Sequence, residues 1–188
     1  MTDWLLQLDK ELFTCINVKW TSPLLDSVLP WMRNKYVWAP LYLFIGSFLL
    51  LNYHKKGLLI SIYLALTVLL CDQISSDLIK PLLARPRPCH HTEWLEEIRV
   101  LVSCGTGYSF VSSHATNHFG VALFLGLLLK KKFSWVLPVG LIWALLIAYS
   151  QIYVGVHYPL DIAGGALLGA AIGSLMYGMV YRHLKGDF

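Results

Sequence analysis

Residues 57–88 read GLLISIYLALTVLLCDQISSDLIKPLLARPRP. Gly57 to Cys71 carries no charge. Asp72 and Asp77 follow, and Lys80, Arg85 and Arg87 then close the stretch among Pro81, Pro86 and Pro88. About 20 helical residues cross a hydrocarbon core of about 30 Å. Gly57–Ile79 is therefore predicted as a transmembrane helix that ends in a cluster of cations. Asp72, Ser76 and Lys80 recur at four-residue steps, which gives it a polar stripe facing a bundle interior. The whole chain agrees with this: 188 residues are 56% hydrophobic and only 14% charged, outside the balance of a soluble domain. The 7 Trp and 10 Tyr supply rings suited to membrane interfaces. A net charge of +4, with its cations in short loops, excludes a nucleic-acid binder.

Four more apolar stretches lie outward from this one: Tyr36–Tyr53, Ser112–Lys130, Phe133–Ser150 and Pro159–Tyr181. The predicted fold is all-α, a polytopic membrane bundle of about five transmembrane helices over residues 36–188, with an outer loop over 80–111. Residues 1–35 are expected to form N-terminal interfacial helices. Trp4–Val18 is amphipathic, with Trp4, Leu5, Leu8, Leu12 and Ile16 opposite Asp9, Lys10 and Glu11. It either lies on the membrane or packs on the bundle. A second short helix is expected at Ser22–Met32. Met1 to Lys10 has no basic run of the kind that opens a cleavable signal peptide. In the fifth stretch Gly164, Gly165, Gly169 and Gly173 form a small-residue stripe suited to close helix approach. Lys55, Lys56, Lys130, Lys131, Lys132, Arg182 and Lys185 mark one face as cytoplasmic. The N-terminal helix, the 80–111 loop and the 151–158 turn then face the exterior or periplasm.

Chemistry-bearing residues collect on that outer face. Lys80, Arg85 and Arg87 suit an anion, and an arginine fork matches two phosphate oxygens. Ser112 and Ser113 open a helix whose free N–H groups also favour an anion. His157 and Asp161 stand four apart on one helical face, so the carboxylate fixes the imidazole tautomer and strengthens its other nitrogen as a nucleophile. His114 supplies a general acid. His114 and His118 are also four apart, but the Glu of a zinc-protease pattern is missing, so no metal is expected. Cys89 and Cys104 bracket the outer loop and are candidates for a disulfide in an oxidising compartment, while His90, His91, Glu93, Glu96 and Glu97 read as a solvated cap.

Lys80 followed after six residues by Arg87-Pro88, then Ser112-Ser113-His114, then Ser150, His157 and Asp161 resemble, in order and spacing, the three-part signature of the type-2 phosphatidic acid phosphatase family. The resemblance implies a membrane phosphatase without metal or cofactor. His157 is implied as a phosphohistidine-forming nucleophile oriented by Asp161, and His114 as acid and then base. Lys80, Arg87, Ser112 and the Ser113 N–H are implied as holders of the phosphoryl oxygens. Val111 and Ser113 stand where the family has Pro and Gly, and Gln151 stands where it has Arg. Gln151 offers one neutral bond in place of a charged fork, and Arg85 is expected to compensate. The implied substrate is a lipid phosphate or isoprenyl diphosphate in the bacterial inner membrane, first undecaprenyl diphosphate, then phosphatidylglycerophosphate, phosphatidate or a lipid A phosphate. The rival class is a lipid-phosphate binding or transport protein with weak turnover.

Overall fold

The computed structural model describes residues 2–91 and 97–184, and every regular element among them is helical. Glu93 and Glu96 of the expected loop cap, and Lys185 of the basic tail, lie outside the described residues.

Helix α1 (Thr2–Thr14) continues into a π-helical turn at Cys15–Lys19. Its protein-facing side is Asp9, Phe13 and Asn17, at four-residue steps, while Trp4 (64% exposed), Leu5 and Leu12 point outward. Asp9, expected on the polar outward face, is thus a correction: it is 2% exposed because it anchors the helix. The Asn17 side chain donates to the backbone carbonyls of Arg99 (2.8 Å) and Tyr153 (2.7 Å) and accepts the Arg99 N–H (2.8 Å), tying this segment to the outer loop and to a helix end. Helix α2 (Pro23–Met32) is opened by Ser22, whose Oγ accepts the Leu25 N–H, with Pro23 at the first position.

Helix α3 (Ala39–Gln73) contains the first two expected spans, and the chain doubles back within it at His54, whose backbone is non-helical (φ 48°, ψ −118°). Gly57 is required there, because a Cβ would run into the Leu49 carbonyl. The helix continues through a π-helical stretch, Ile74–Ile79, into α4 (Lys80–Leu83) and stops at Ala84 in the left-handed region. The expected end at Ile79 is therefore four residues early. Lys80 keeps helical geometry (φ −60°, ψ −49°), its N–H bonded to the Ser75 carbonyl across the π-helical stretch.

Helices α5 (Ser113–Leu129), α6 (Val136–Tyr153) and α7 (Pro159–His183) complete the bundle. Helix α6 starts three residues after the expected Phe133, because Phe133 and Lys132 are spent in a turn that donates both N–H groups to Leu129. The small-residue stripe of α7 lies against α5. A Cβ on Gly165 would come within 2.6 Å of the Ser112 carbonyl, and one on Gly169 or Gly173 would strike the carbonyls of Thr116 or Gly120. Leu49, Ile60, Phe124 and Val180 form the fully buried centre. Three helical stretches, 39–83, 136–153 and 159–183, are long and apolar enough to cross a membrane. Leu51, Ile142, Leu167 and Leu175 project outward from them, as a lipid-facing surface requires. Cys89 and Cys104 form a disulfide across the outer loop, while Cys15 and Cys71 are free thiols.

Gly169→Leu is expected to destabilise the protein by about 1–3 kcal/mol through overpacking of α5 against α7. Gly178→Ala, where nothing lies within 4 Å of the new Cβ, serves as the silent control. Thermal unfolding in detergent micelles measures both, and equal midpoints would count against close packing at this stripe.

Candidate active site

The turn between α6 and α7 is built by Gln151 and Gly155. The Gln151 carbonyl accepts the N–H groups of Val156 and His157, each at 3.2 Å. Gly155 has φ 88° and passes so close to the Arg99 carbonyl that no Cβ fits. His157 is thereby fixed just before Pro159 starts α7. Asp161 closes a capping box: its Oδ2 accepts the Tyr158 N–H at 2.8 Å. The same oxygen lies 3.4 Å from His157 Nδ1, which leaves Nε2 of that imidazole facing away from the carboxylate. The Asp161 backbone carbonyl accepts the Ser112 N–H at 3.0 Å, joining the start of α7 to the start of α5. Ser112 Oγ caps α5 at Ala115, and Ser113 Oγ meets Ser75 (3.0 Å) and Ser76 (2.9 Å) in the π-helical stretch before Lys80. The three motif regions seen in the sequence therefore meet in space.

The other Asp161 oxygen, Oδ1, accepts Arg85 Nη1 at 2.7 Å, and Arg85 Nη2 donates to Asp9 at 2.5 Å. Asp9 Oδ1 in turn accepts the Leu160 N–H at 2.7 Å. The Arg85 guanidinium also stacks 4.3 Å from the centre of the Tyr158 ring. Arg85, expected on the phosphate, thus has both terminal nitrogens on carboxylates. Burial works against its charge, but Asp161 and Asp9 hold its pKa above the usual value.

Lys80 and Arg87 are close enough to His157 for their charges to act on it. Burial lowers the His157 pKa to about 4. The Asp161 hydrogen bond and charge oppose that shift, and Arg87 and Lys80 add to it. The imidazole is neutral at pH 7, as a nucleophile must be. Arg87 Nε donates to the Gly107 carbonyl at 3.3 Å. His114 Nε2 donates to the Arg33 carbonyl at 3.1 Å, while His118 Nδ1 donates to the His114 carbonyl (2.7 Å) and its Nε2 meets Tyr42 Oη (3.3 Å).

Arg33, just beyond α2, was not legible as a site residue, because a lone cation after a short amphipathic helix carries no pattern. Its Nε donates to Gln151 Oε1 at 3.3 Å, and Gln151 is fully buried. The one available signal was the neutral residue at 151 itself. Arg33, Ser113, His114, Asn117 and Asp72 line one part of a cleft of about 680 Å³, whose remaining wall includes Ile45, Leu64 and Val68. An apolar groove of about 410 Å³ runs among Trp38, Phe44, Phe48, Leu125 and Trp143.

A helical membrane bundle with a buried His–Asp pair, with Lys80, Arg87 and His114 near enough for charge to act between them and His157, and with an apolar-walled cleft lined by His114 and Arg33, suits phosphoryl transfer on an amphiphile. The PAP2 superfamily model matches residues 57–185. The chain is 32% identical to the lipid A 4'-phosphatase of Porphyromonas gingivalis, over 97% of this chain and 77% of that one. It is also 32% identical to an undecaprenyl-diphosphatase of Sulfolobus acidocaldarius, over 88% of this chain and 75% of that one. The crystal structure of Aquifex aeolicus LpxE superposes with a TM-score of 0.67 at 28% identity, covering 91% of this chain and 95% of that one. The chain belongs to the PAP2 superfamily and is a membrane lipid phosphatase of that type.

Arg85→Ala leaves Asp9 and Asp161 buried without their shared cation and is expected to cost about 3 kcal/mol of stability. The check is thermal unfolding in detergent, where a midpoint equal to wild type would show the bridge to be dispensable. A second outcome concerns acid. The folded-state pKa of His157 is depressed to about 4 against an ordinary 6.5, so the unfolded chain takes up the proton first. Its contribution is fully present above pH 6.5 and is lost as pH falls from there toward 4. His157→Gln should flatten the loss of thermal stability across this window, and parallel wild-type and variant curves would contradict that assignment.

Proposed function

We propose that the protein hydrolyses a phosphate monoester on a lipid A-type glycolipid through a phosphohistidine at His157. The observation that carries this is the His157–Asp161 pair: a buried, neutral imidazole with one nitrogen on a carboxylate, near enough to Lys80 and Arg87 for their charges to act on it. Nε2 of His157 attacks phosphorus, and the P–O bond to the lipid breaks. The leaving alkoxide takes a proton from His114. Water then attacks the phosphohistidine, His114 takes the water's proton, and inorganic phosphate leaves with His157 restored. Lys80, Arg87, Ser112 and the Ser113 N–H hold the three non-bridging oxygens as charge develops on them. No metal or cofactor enters this scheme.

The lipid A assignment takes precedence over undecaprenyl diphosphate because likeness to the Porphyromonas enzyme extends over nearly the whole chain, the N-terminal helices included. The Sulfolobus relative keeps undecaprenyl diphosphate as the second substrate. The apolar groove beside the cleft gives acyl or prenyl chains a path from the bilayer. In this reading the two arms of α3 about His54 and helices α5, α6 and α7 make five crossings. Helix α1 lies in the outer interface through Trp4, Leu5 and Leu12, and the site faces the periplasm of a bacterial inner membrane.

Purified protein in detergent should release phosphate from lipid A, more slowly from undecaprenyl diphosphate. His157→Ala should lower the rate at least about 1000-fold. Orthovanadate should inhibit and EDTA should not. Release that survives His157→Ala, or that EDTA abolishes, would sink the mechanism. For orientation, a Lys131→Cys variant should resist impermeant thiol reagents in intact cells, and ready labelling from outside would invert the topology.

A further inference from the structure

We infer that Arg33 is a phosphate ligand of this enzyme, a cation delivered by the N-terminal segment to stand where position 151 holds a neutral glutamine. The inference rests on the phosphatase reading above and goes beyond it, since Arg33 lies outside the 57–185 stretch matched by the family model.

Five observations converge. Arg33 Nε donates to Gln151 Oε1 at 3.3 Å, so the glutamine side chain positions the guanidinium. The Arg33 backbone carbonyl accepts His114 Nε2 at 3.1 Å, which places the residue beside a proposed acid of the reaction. Arg33 lines the same cleft as Ser113 and His114. Arg33 makes no ion pair with a described carboxylate, whereas Arg85 bridges two and Arg99 holds one. Arg33 and Arg87 are both half-buried and repel each other; burial first and Arg87 second depress the Arg33 pKa. Two half-buried guanidiniums whose charges act on each other favour an anion near both.

The bond to Gln151 uses only Nε, so the two Nη groups remain to bind oxygen. Arg85 is ill-suited to this task, because moving it to a phosphate would strip both Asp9 and Asp161 of their cation. The division is then clear: Arg85 holds the fold around Asp161, and Arg33 meets the substrate. Because the His114 contact is to the Arg33 backbone, replacing the side chain leaves that contact in place.

The test is equilibrium binding of orthovanadate to the purified full chain in detergent, with phosphate release from lipid A measured in parallel. Arg33→Gln is expected to weaken vanadate binding about 10- to 100-fold, the loss of one charge-assisted contact. It should lower kcat/KM similarly while leaving the melting temperature near wild type. The double variant Arg33→Gln/Gln151→Arg, which moves the cation to the other side of the same contact, should recover most of the affinity. Arg33→Lys, which keeps charge but not the fork, should fall between. Unchanged vanadate affinity in Arg33→Gln overturns the proposal, as does a double variant no tighter than the single one. Wild type that binds vanadate but hydrolyses no lipid would reject the phosphatase reading alone, whereas wild type that binds no vanadate rejects both.

Discussion

A carboxylate buried without water must be paired, and the fold is arranged around one such group. Asp161 is fully buried and receives Arg85, His157 and the Tyr158 N–H on its side chain, and the Ser112 N–H on its backbone carbonyl. Arg85 then recruits Asp9 from the other end of the chain, and Asp9 returns to α7 through the Leu160 N–H. The network spans α1, the loop after α4, the start of α5 and the start of α7. Removing Arg85 leaves two buried carboxylates without their cation, which is costlier than losing an exposed ion pair. The same carboxylate that bonds His157 therefore holds four segments together.

This coupling explains why the reacting groups are precise although they come from helix ends and turns. The glycine stripe brings the backbones of α5 and α7 into direct contact, so Ser112 and Asp161 meet with little room to shift. The π-helical stretch before Lys80 places Ser75 and Ser76 on Ser113 and so ties the cation-bearing helix to the same corner. Polar contacts gather at one level, while the outer surfaces of the helices are left apolar for lipid. The cleft opens between the arms of α3 and α5, with charged and polar side chains at one end and aliphatic walls at the other.

Much of this was legible from residue order. Helix α5 begins where Ser112 predicts, α7 begins at Pro159, and the glycines at 165, 169 and 173 face a neighbouring helix as their spacing suggests. Helix ends were less legible. The stop of α4 depends on how Ala84 and Arg85 leave the bundle, and the start of α6 on a turn that consumes Phe133. Helix α1 departs from its pattern at one residue: Trp4, Leu5 and Leu12 point outward, but Asp9 turns inward and is buried. A hydrophobicity pattern assumes a single kind of interior, and a partner for a buried arginine overrides it.

The sequence by itself determined that the chain is an all-helical membrane protein and picked out three short regions that meet in the fold, because apolar run length and local spacing are properties of order along the chain. It also singled out position 151 as a site short of one charge. Only the tertiary structure decided which arginine does what. Arg33, Arg85 and Arg87 carry the same guanidinium, and although Arg87 stands in a motif, the sequence does not show what any of them contacts. Their partners lie tens of residues away, Gln151, the Asp9–Asp161 pair and the Gly107 carbonyl, and those contacts exist only once the helices have packed.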